Sequence, residues 1–233
     1  MHGFDPVALL EQAQYRALFI HGLEVTLIIA VFSWLLGMVV AVLLLVARLT
    51  PSRIAGALAA GYISYHRNVP TLVQLMLWYF GIASLLPGPL QQWVSNHDAE
   101  VVFAIIALGL CQAAYFSEDM RSGLRAVPPG QAQAARALGH GFISTLRFVL
   151  LPQALRNALP ALVSHTVSLF KNSSLAMAIG ATELTHAVTE VESSSFRTFE
   201  AFFVGAVLYL SFSLLLMGSG AWLDRRVRIA GAH

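Results

Sequence analysis

Lys171 is the only lysine in 233 residues, and it opens a run of four polar side chains, Lys171-Asn172-Ser173-Ser174, inside an apolar stretch. A lysine at the centre of a bilayer costs roughly 2.5–3.5 kcal/mol on insertion scales. Counted from Pro160, Lys171 lies about 16 Å along a helix, near mid-membrane. It therefore faces a pore, pairs with an acid such as Glu24, or snorkels, and its depth makes snorkelling the poorest of the three. At a pore it would favour a substrate carboxylate. Asn172, Ser173 and Ser174 either bond back to their own helix and glue neighbours, or mark a locally broken helix that offers donors to a substrate. Thr71 and Gln74 carry the same two readings, path lining or packing glue. His165, six residues before Lys171, is off its face and reads as a hydrogen-bonded helix contact. Glu118 and Arg121 are three apart and can pair on one helix face.

Enzymatic chemistry has no comparable set. A P-loop needs G-x-x-x-x-G-K-[ST], whose lysine reaches the phosphates, and here Phe170 precedes the only lysine. ATP chemistry within this chain is excluded, so energy must come from a partner or a gradient. The histidines show no metal-ligand spacing, and the single cysteine, Cys111, excludes an internal disulfide and a Cys-rich metal site. No catalytic residue, metal or cofactor is expected in this chain.

Composition says what must position these groups. Apolar and aromatic residues make up 57%, charged residues only 11%, and mean hydropathy is +0.70. A soluble domain carries about 25% charged residues. This chain cannot present an aqueous surface all round, which excludes a soluble enzyme, a disordered chain and a nucleic-acid binder despite a pI of 8.9. An all-α integral membrane protein is expected, because backbone groups in lipid must be satisfied within a segment. No alternating ten-residue pattern points to a β-barrel. About 20 apolar residues cross the hydrocarbon core. Five runs qualify, at 19–47, 69–86, 97–116, 158–182 and 201–223. The first is too long for a signal-peptide core and is expected to remain as a span.

Eleven of the fourteen basic residues follow spans one, three or five: Arg48, Arg53 and Arg67; Arg121, Arg125, Arg136, Arg147 and Arg156; Arg225, Arg226 and Arg228. The other side has Arg16 and Arg197 with eight acids. Positive residues stay inside, so the N-terminus is placed outside and the C-terminus inside. The long inside loop, 120–157, is basic and mostly helical in pattern. Val127-Pro128-Pro129-Gly130 stops one helix. Gln131–Leu138 restarts one, and Gly139 suits a C′ position. Phe142–Leu151 is expected as a second short helix ending before Pro152. Alanines at 132, 134, 135 and 137 let another surface approach closely. A plain connector, a membrane-surface helix and a docking helix for a cytoplasmic partner are the three readings, with docking ahead.

Gln133-Ala134-Ala135, three residues, Gly139, nine residues, then Val149-Leu150-Leu151-Pro152 resembles the EAA loop of ABC importer membrane subunits, E-A-A-x3-G-x9-I-x-L-P. The spacing fits at every anchor, with Gln133 in place of Glu and Val149 in place of Ile. Gly22-Leu23-Glu24-Val25-Thr26-Leu27, Arg67 to Gln74 (RNVPTLVQ), Tyr115-Phe116-Ser117-Glu118, Leu151-Pro152-Gln153-Ala154 and Phe170 to Leu175 (FKNSSL) resemble the polar amino-acid permeases. That family includes histidine, glutamine and glutamate/aspartate members. Arg67-Asn68-Val69-Pro70, the Lys171 run and the ending Asp224-Arg225-Arg226-Val227-Arg228 are most similar to the glutamate/aspartate members.

The resemblance, from about Gly22 to Arg228, implies an ABC type I importer permease fold in one domain, 19–228, with a cytoplasmic coupling helix. It implies transport of a polar amino acid, glutamate or aspartate first, across the bacterial inner membrane. It also implies a separate ATPase dimer that uses ATP and magnesium, a second permease chain, identical or related, and a periplasmic amino-acid-binding protein. Gln133, Ala134, Ala135, Gly139, Leu151 and Pro152 would then engage the ATPase, with Gln133 weakening an expected ion pair. Lys171, Asn172, Ser173, Ser174, Thr71 and Gln74 are the candidates for the path. The competing class is an ion-coupled secondary carrier, which usually shows internal repeats and more spans. No repeat is evident here. A bare membrane anchor leaves the docking loop and Lys171 unexplained.

Overall fold

The computed structural model describes residues 4–227, so Arg228 lies outside the described residues. The described chain is helical throughout, without a strand. In order, its α-helices are α1 (Val7–Glu11), α2 (Ala13–Leu49), α3 (Arg53–Asn68), α4 (Thr71–Met76), α5 (Gly88–Ser95), α6 (Ala99–Arg125), α7 (Pro129–Ala137), α8 (Phe142–Thr145), α9 (Leu151–Asn172), α10 (Leu184–Ser195) and α11 (Thr198–Val227).

Three of these, α2, α6 and α11, are each long and apolar enough to cross a membrane. They coincide with spans one, three and five. The most apolar stretch of α6 is 56% buried within the protein, against 22% for α2 and α11. The fold is therefore built around α6, with α2 along one side and α9 along the other, while α2 and α11 keep broad apolar faces outward. Close packing needs small residues, since lipid supplies little hydrophobic drive between helices. A Cβ on Gly37 of α2 would lie 2.9 Å from the Gly109 carbonyl of α6, and one on Gly123 of α6 would lie 2.4 Å from the Ala154 carbonyl of α9.

The second expected span, 69–86, is not one straight helix, and with α3 before it forms a sharply bent pair. Thr50-Pro51 stops α2, because the residue before proline avoids the α region. Ser52 then caps α3, its hydroxyl accepting from the Ala55 amide at 3.3 Å. The Arg53–Asn68 helix lay among residues expected to connect spans. Val69-Pro70 ends it, and the chain turns through 108° into a helical run from Thr71 to Leu85. After α4 this run continues as a π turn (Leu77–Gly81) and a 3₁₀ turn (Ile82–Leu85). The bend frees backbone carbonyls that lipid cannot satisfy. Gln74 satisfies them: its amide donates to Val69 O at 2.7 Å and His66 O at 3.1 Å, and its Oε1 meets His66 Nδ1.

The third helix runs on to Arg125, through the first residues of the 120–157 stretch. Two expectations about the following region are corrected. The second loop helix does not end before Pro152: α8 passes through a π turn (Leu146–Leu150) directly into α9, with Pro152 in the first turn of α9. Pro152 lacks the N–H that an uninterrupted α-helix would bond to the Phe148 carbonyl, and the run accommodates that loss where the π turn passes into α9. Span four is not a continuous helix to 182. It is α-helical to Asn172, tightens to 3₁₀ over Ser173–Ile179 and stops at Gly180, whose φ is +95°. Ser173 Oγ donates to Phe170 O at 2.6 Å and Ser174 Oγ to Lys171 O at 2.7 Å. Such bonds compete with the α ladder. With Gln153, Arg156, His165 and Lys171 in its length, α9 is not among the helices apolar enough to qualify as a span alone.

Glu183 locks the far end of this segment. It is fully buried, and its carboxylate caps α10 by accepting from the Thr185 and His186 amides at 2.9 and 3.0 Å. It also accepts from Tyr209 Oη of α11 at 2.8 Å and from Thr26 Oγ1 of α2 at 3.4 Å. Three helices thus meet on one carboxylate.

Candidate functional site

A cavity of about 240 Å³ opens between α4, α6 and α9. One wall is a single face of α6: Leu108, Cys111, Gln112 and Tyr115, spaced i, i+3, i+4, i+7. The opposite wall is a single face of α9 at the same spacing: His165, Ser168, Leu169 and Asn172. Thr71, in the first turn of α4 just past the 108° bend, closes the third side. Seven of these nine side chains carry a hydrogen-bonding or thiol group, in a region where lipid-facing residues are apolar.

The walls are tied to one another. His165 Nδ1 is bonded to Asp119 Oδ2 across the α6–α9 contact at 2.6 Å. The imidazole lies 5.1 Å from the Tyr115 ring, and Arg67 places its guanidinium 5.7 Å from the centre of that same ring. Arg67 belongs to the last turn of α3, so a chain of contacts runs from the α3–α4 bend through α6 to α9. Thr71 Oγ1 lies 3.6 Å from Cys111 Sγ. No carboxylate lines the cavity. Asp119, off the lining, is bonded to the wall residue His165.

Of the six path candidates, Thr71 and Asn172 stand on the cavity wall. Lys171 does not: it is exposed on the adjoining face of α9, without an ion pair among the described residues, so the Glu24 pairing does not form. Ser173 is buried and Ser174 partly so, both bonded back to their own helix. Gln74 is buried at the bend and holds the backbone there. Cys111, Gln112, Tyr115, His165 and Ser168 were not among the candidates. Their signal is polar residues recurring at i, i+3 or i+4, and i+7 within apolar helices.

The loop between α6 and α9 forms a second surface. The α7 helix ends in a Schellman motif: Gly139 N–H donates to Arg136 O at 3.0 Å and His140 N–H to Ala135 O at 3.1 Å. Gly139 takes φ +86°, as a C′ glycine does. Ala135 is buried against the loop itself, while Gln133, Ala134 and Gly139 face outward. Leu138, Phe142 and Ile143 are 82%, 80% and 76% exposed, a contiguous apolar patch of the kind that marks a partner. Leu151 is 38% exposed and Pro152 half-buried. Just above, Glu118 pairs with Arg121, at 2.5 Å, and with Arg48 of α2, pinning the ends of α2 and α6 together. Among the described residues no cluster of three or more His, Cys, Asp or Glu could hold a metal ion.

Comparison with known proteins gives concordant results. The family described as "Binding-protein-dependent transport system inner membrane component" matches residues 33–229. The glutamate/aspartate import permease protein GltJ of Escherichia coli (strain K12) is 30% identical over 214 residues, covering 90% of this chain and 87% of that protein. The nopaline transport system permease protein NocM of Agrobacterium fabrum (strain C58) is 37% identical over 215 residues, covering 88% of each. A solved structure titled as an amino acid ABC transporter with histidines superposes with a TM-score of 0.83 at 29% identity, covering 97% of this chain and all of that one.

Proposed function

This chain belongs to the family of binding-protein-dependent transport system inner membrane components, and from that premise we propose that it is the permease subunit of an ATP-driven importer for a polar amino acid. The observation that carries this reading is the cavity between α4, α6 and α9, polar-walled and set among apolar helices. A zwitterionic solute needs such donors and acceptors to leave water.

In this reading the chain crosses a bacterial inner membrane five times, counting α3 with Thr71–Leu85 as one broken span and α9 with its 3₁₀ extension as another. The N-terminus is outside and the C-terminus inside. A separate ATPase dimer uses ATP and magnesium and grips the α7 loop through Gln133, Ala134, Ala135, Gly139, Leu151 and Pro152. The exposed Leu138, Phe142 and Ile143 support that docking. A second permease chain, identical or related, completes the path, and a periplasmic binding protein delivers the cargo. This chain itself carries no cofactor.

Glutamate or aspartate is the first cargo to test. The cavity offers no carboxylate to a cationic side chain, and two cations flank it: Arg67 over Tyr115 and Lys171 beside Asn172. Thr71, Gln112, Ser168 and Asn172 supply neutral donors.

The test is uptake into proteoliposomes holding the purified complex, with radiolabelled glutamate, aspartate, glutamine, histidine and arginine in turn. ATP-dependent uptake together with a co-purifying ATPase is expected. Uptake driven by an ion gradient without an ATPase would establish the secondary-carrier reading instead.

A further inference from the structure

A second cavity is bounded by other helices and differs from the polar one in character. It occupies about 280 Å³ between α1, α2 and α11, and its walls are apolar. Leu10 of α1 roofs it; Phe19, Ile20 and Leu23 of α2 and Phe203 and Val207 of α11 form the sides. α1 is held as a roof by Leu9, which is fully buried. The segment before it is held by Phe4, whose ring meets both Phe199 and Phe203 edge-on at 5.2 Å. The groove is thus a made feature, closed above by residues that precede the first span.

Its position decides the solvent. Of the three helices long and apolar enough to cross a membrane, α2 and α11 bury least of their apolar stretch within the protein. Ile20, Phe203 and Val207 are 61%, 43% and 43% exposed. An apolar slot between two such helices opens onto hydrocarbon, not water. At its rim stands Arg16, in the first turns of α2, its stem contributing to the wall. The guanidinium makes one long bond, to Leu10 O at 3.4 Å, and no ion pair among the described residues. Arginine has five donors in a fork that matches phosphate. Most of them are unused here, at the level where the helix leaves the apolar core.

We infer that this groove is a phospholipid site, with one acyl chain between α2 and α11 beneath Leu10 and the headgroup phosphate on Arg16. Charge complementarity selects the occupant. A second copy of this chain would offer no anion by necessity, whereas every phospholipid places a phosphate one headgroup depth above its acyl chain. The site would fasten the N-terminal residues and α1 to the bundle through lipid.

The test is native mass spectrometry of the delipidated full complex titrated with dioleoylphosphatidylglycerol, a readout that needs no transport and so is independent of the proposed cargo. Arg16→Gln is expected to weaken retention about fivefold, from the loss of roughly 1 kcal/mol for one basic residue at a membrane surface. Val207→Trp, which fills an already exposed wall position, is expected to remove the bound lipid while the complex stays intact. Inorganic phosphate alone should not compete. Unchanged retention in both variants would overturn the inference, as would dissociation of the complex by Val207→Trp, which would mean that a protein chain fills the groove.

Discussion

His165 on α9 and Asp119 on α6 are joined at 2.6 Å, and the same imidazole forms part of the cavity wall. A side chain that reads in sequence as a helix–helix contact is therefore both a contact and a wall. Replacing it separates the two roles. His165→Ala should raise the KM for uptake by roughly tenfold, about the loss of one hydrogen bond of 1.4 kcal/mol. Asp119→Asn, which keeps a partner for the ring, should raise it less. An equal loss of Vmax in both variants with KM unchanged would make the pair purely structural. Uptake kinetics in proteoliposomes decide it.

Lys171 stands beside the cavity and outside it, exposed and without an ion pair among the described residues. Lys171→Ala should reduce uptake without affecting membrane insertion, because no described ion pair depends on it. Lys171→Arg should restore most of the rate by keeping the charge. Wild-type kinetics in Lys171→Ala would make the residue idle.

Glu183 ties α2, α10 and α11 together and touches no part of the cavity wall. Its removal should act on stability. Glu183→Ala loses an N-cap, typically about 1 kcal/mol, and one bond each from Tyr209 and Thr26, whose hydroxyls keep Thr185 and the Gly22 carbonyl as partners. A clear fall in the thermal stability of the detergent-solubilised complex is expected, with uptake per folded complex retained. A stable but inactive variant would contradict this.

Gly139 holds φ +86° at the end of α7. A β-branched residue there is strained by about 1–2 kcal/mol and disturbs the Schellman bonds to Arg136 and Ala135. Gly139→Val should leave the complex assembled and hydrolysing ATP while uptake falls several-fold. Gly139→Asn, whose short side chain tolerates this conformation, should retain most activity. Tight coupling in Gly139→Val would count against a role for this turn.

Charge-free runs made α2, α6 and α11 legible in sequence, since composition alone dictates a lipid-crossing helix. The turn at Gly139 was legible for a similar reason: a helix-forming run followed by glycine has one common ending. Pro152 misled because proline both stops a helix and opens one, and only the π turn before it selects the second role. The α3 helix was missed because Arg53–Asn68, with two glycines and a polar ending, resembles a connector until the bend at Pro70 is built. The cavity was half legible. Thr71 and Asn172 were candidates on residue type. Cys111, Gln112, Tyr115 and Ser168 become a wall only when α6 and α9 cross at Gly123 and Ala154, a contact between distant segments that local pattern does not encode. Gln74 drew notice as a polar group in a span, and its partners, three backbone and ring atoms at a bend, depend on geometry that the sequence leaves implicit.

The central claim is that the α7 loop hangs on the cytoplasmic side and is gripped by an ATPase. Cysteine accessibility tests it most directly, using Leu138→Cys, at an 82% exposed position, in a Cys111→Ala background. A membrane-impermeant maleimide should label it only in inside-out vesicles, and assembly with the ATPase should protect it. Labelling in right-side-out vesicles would contradict the account.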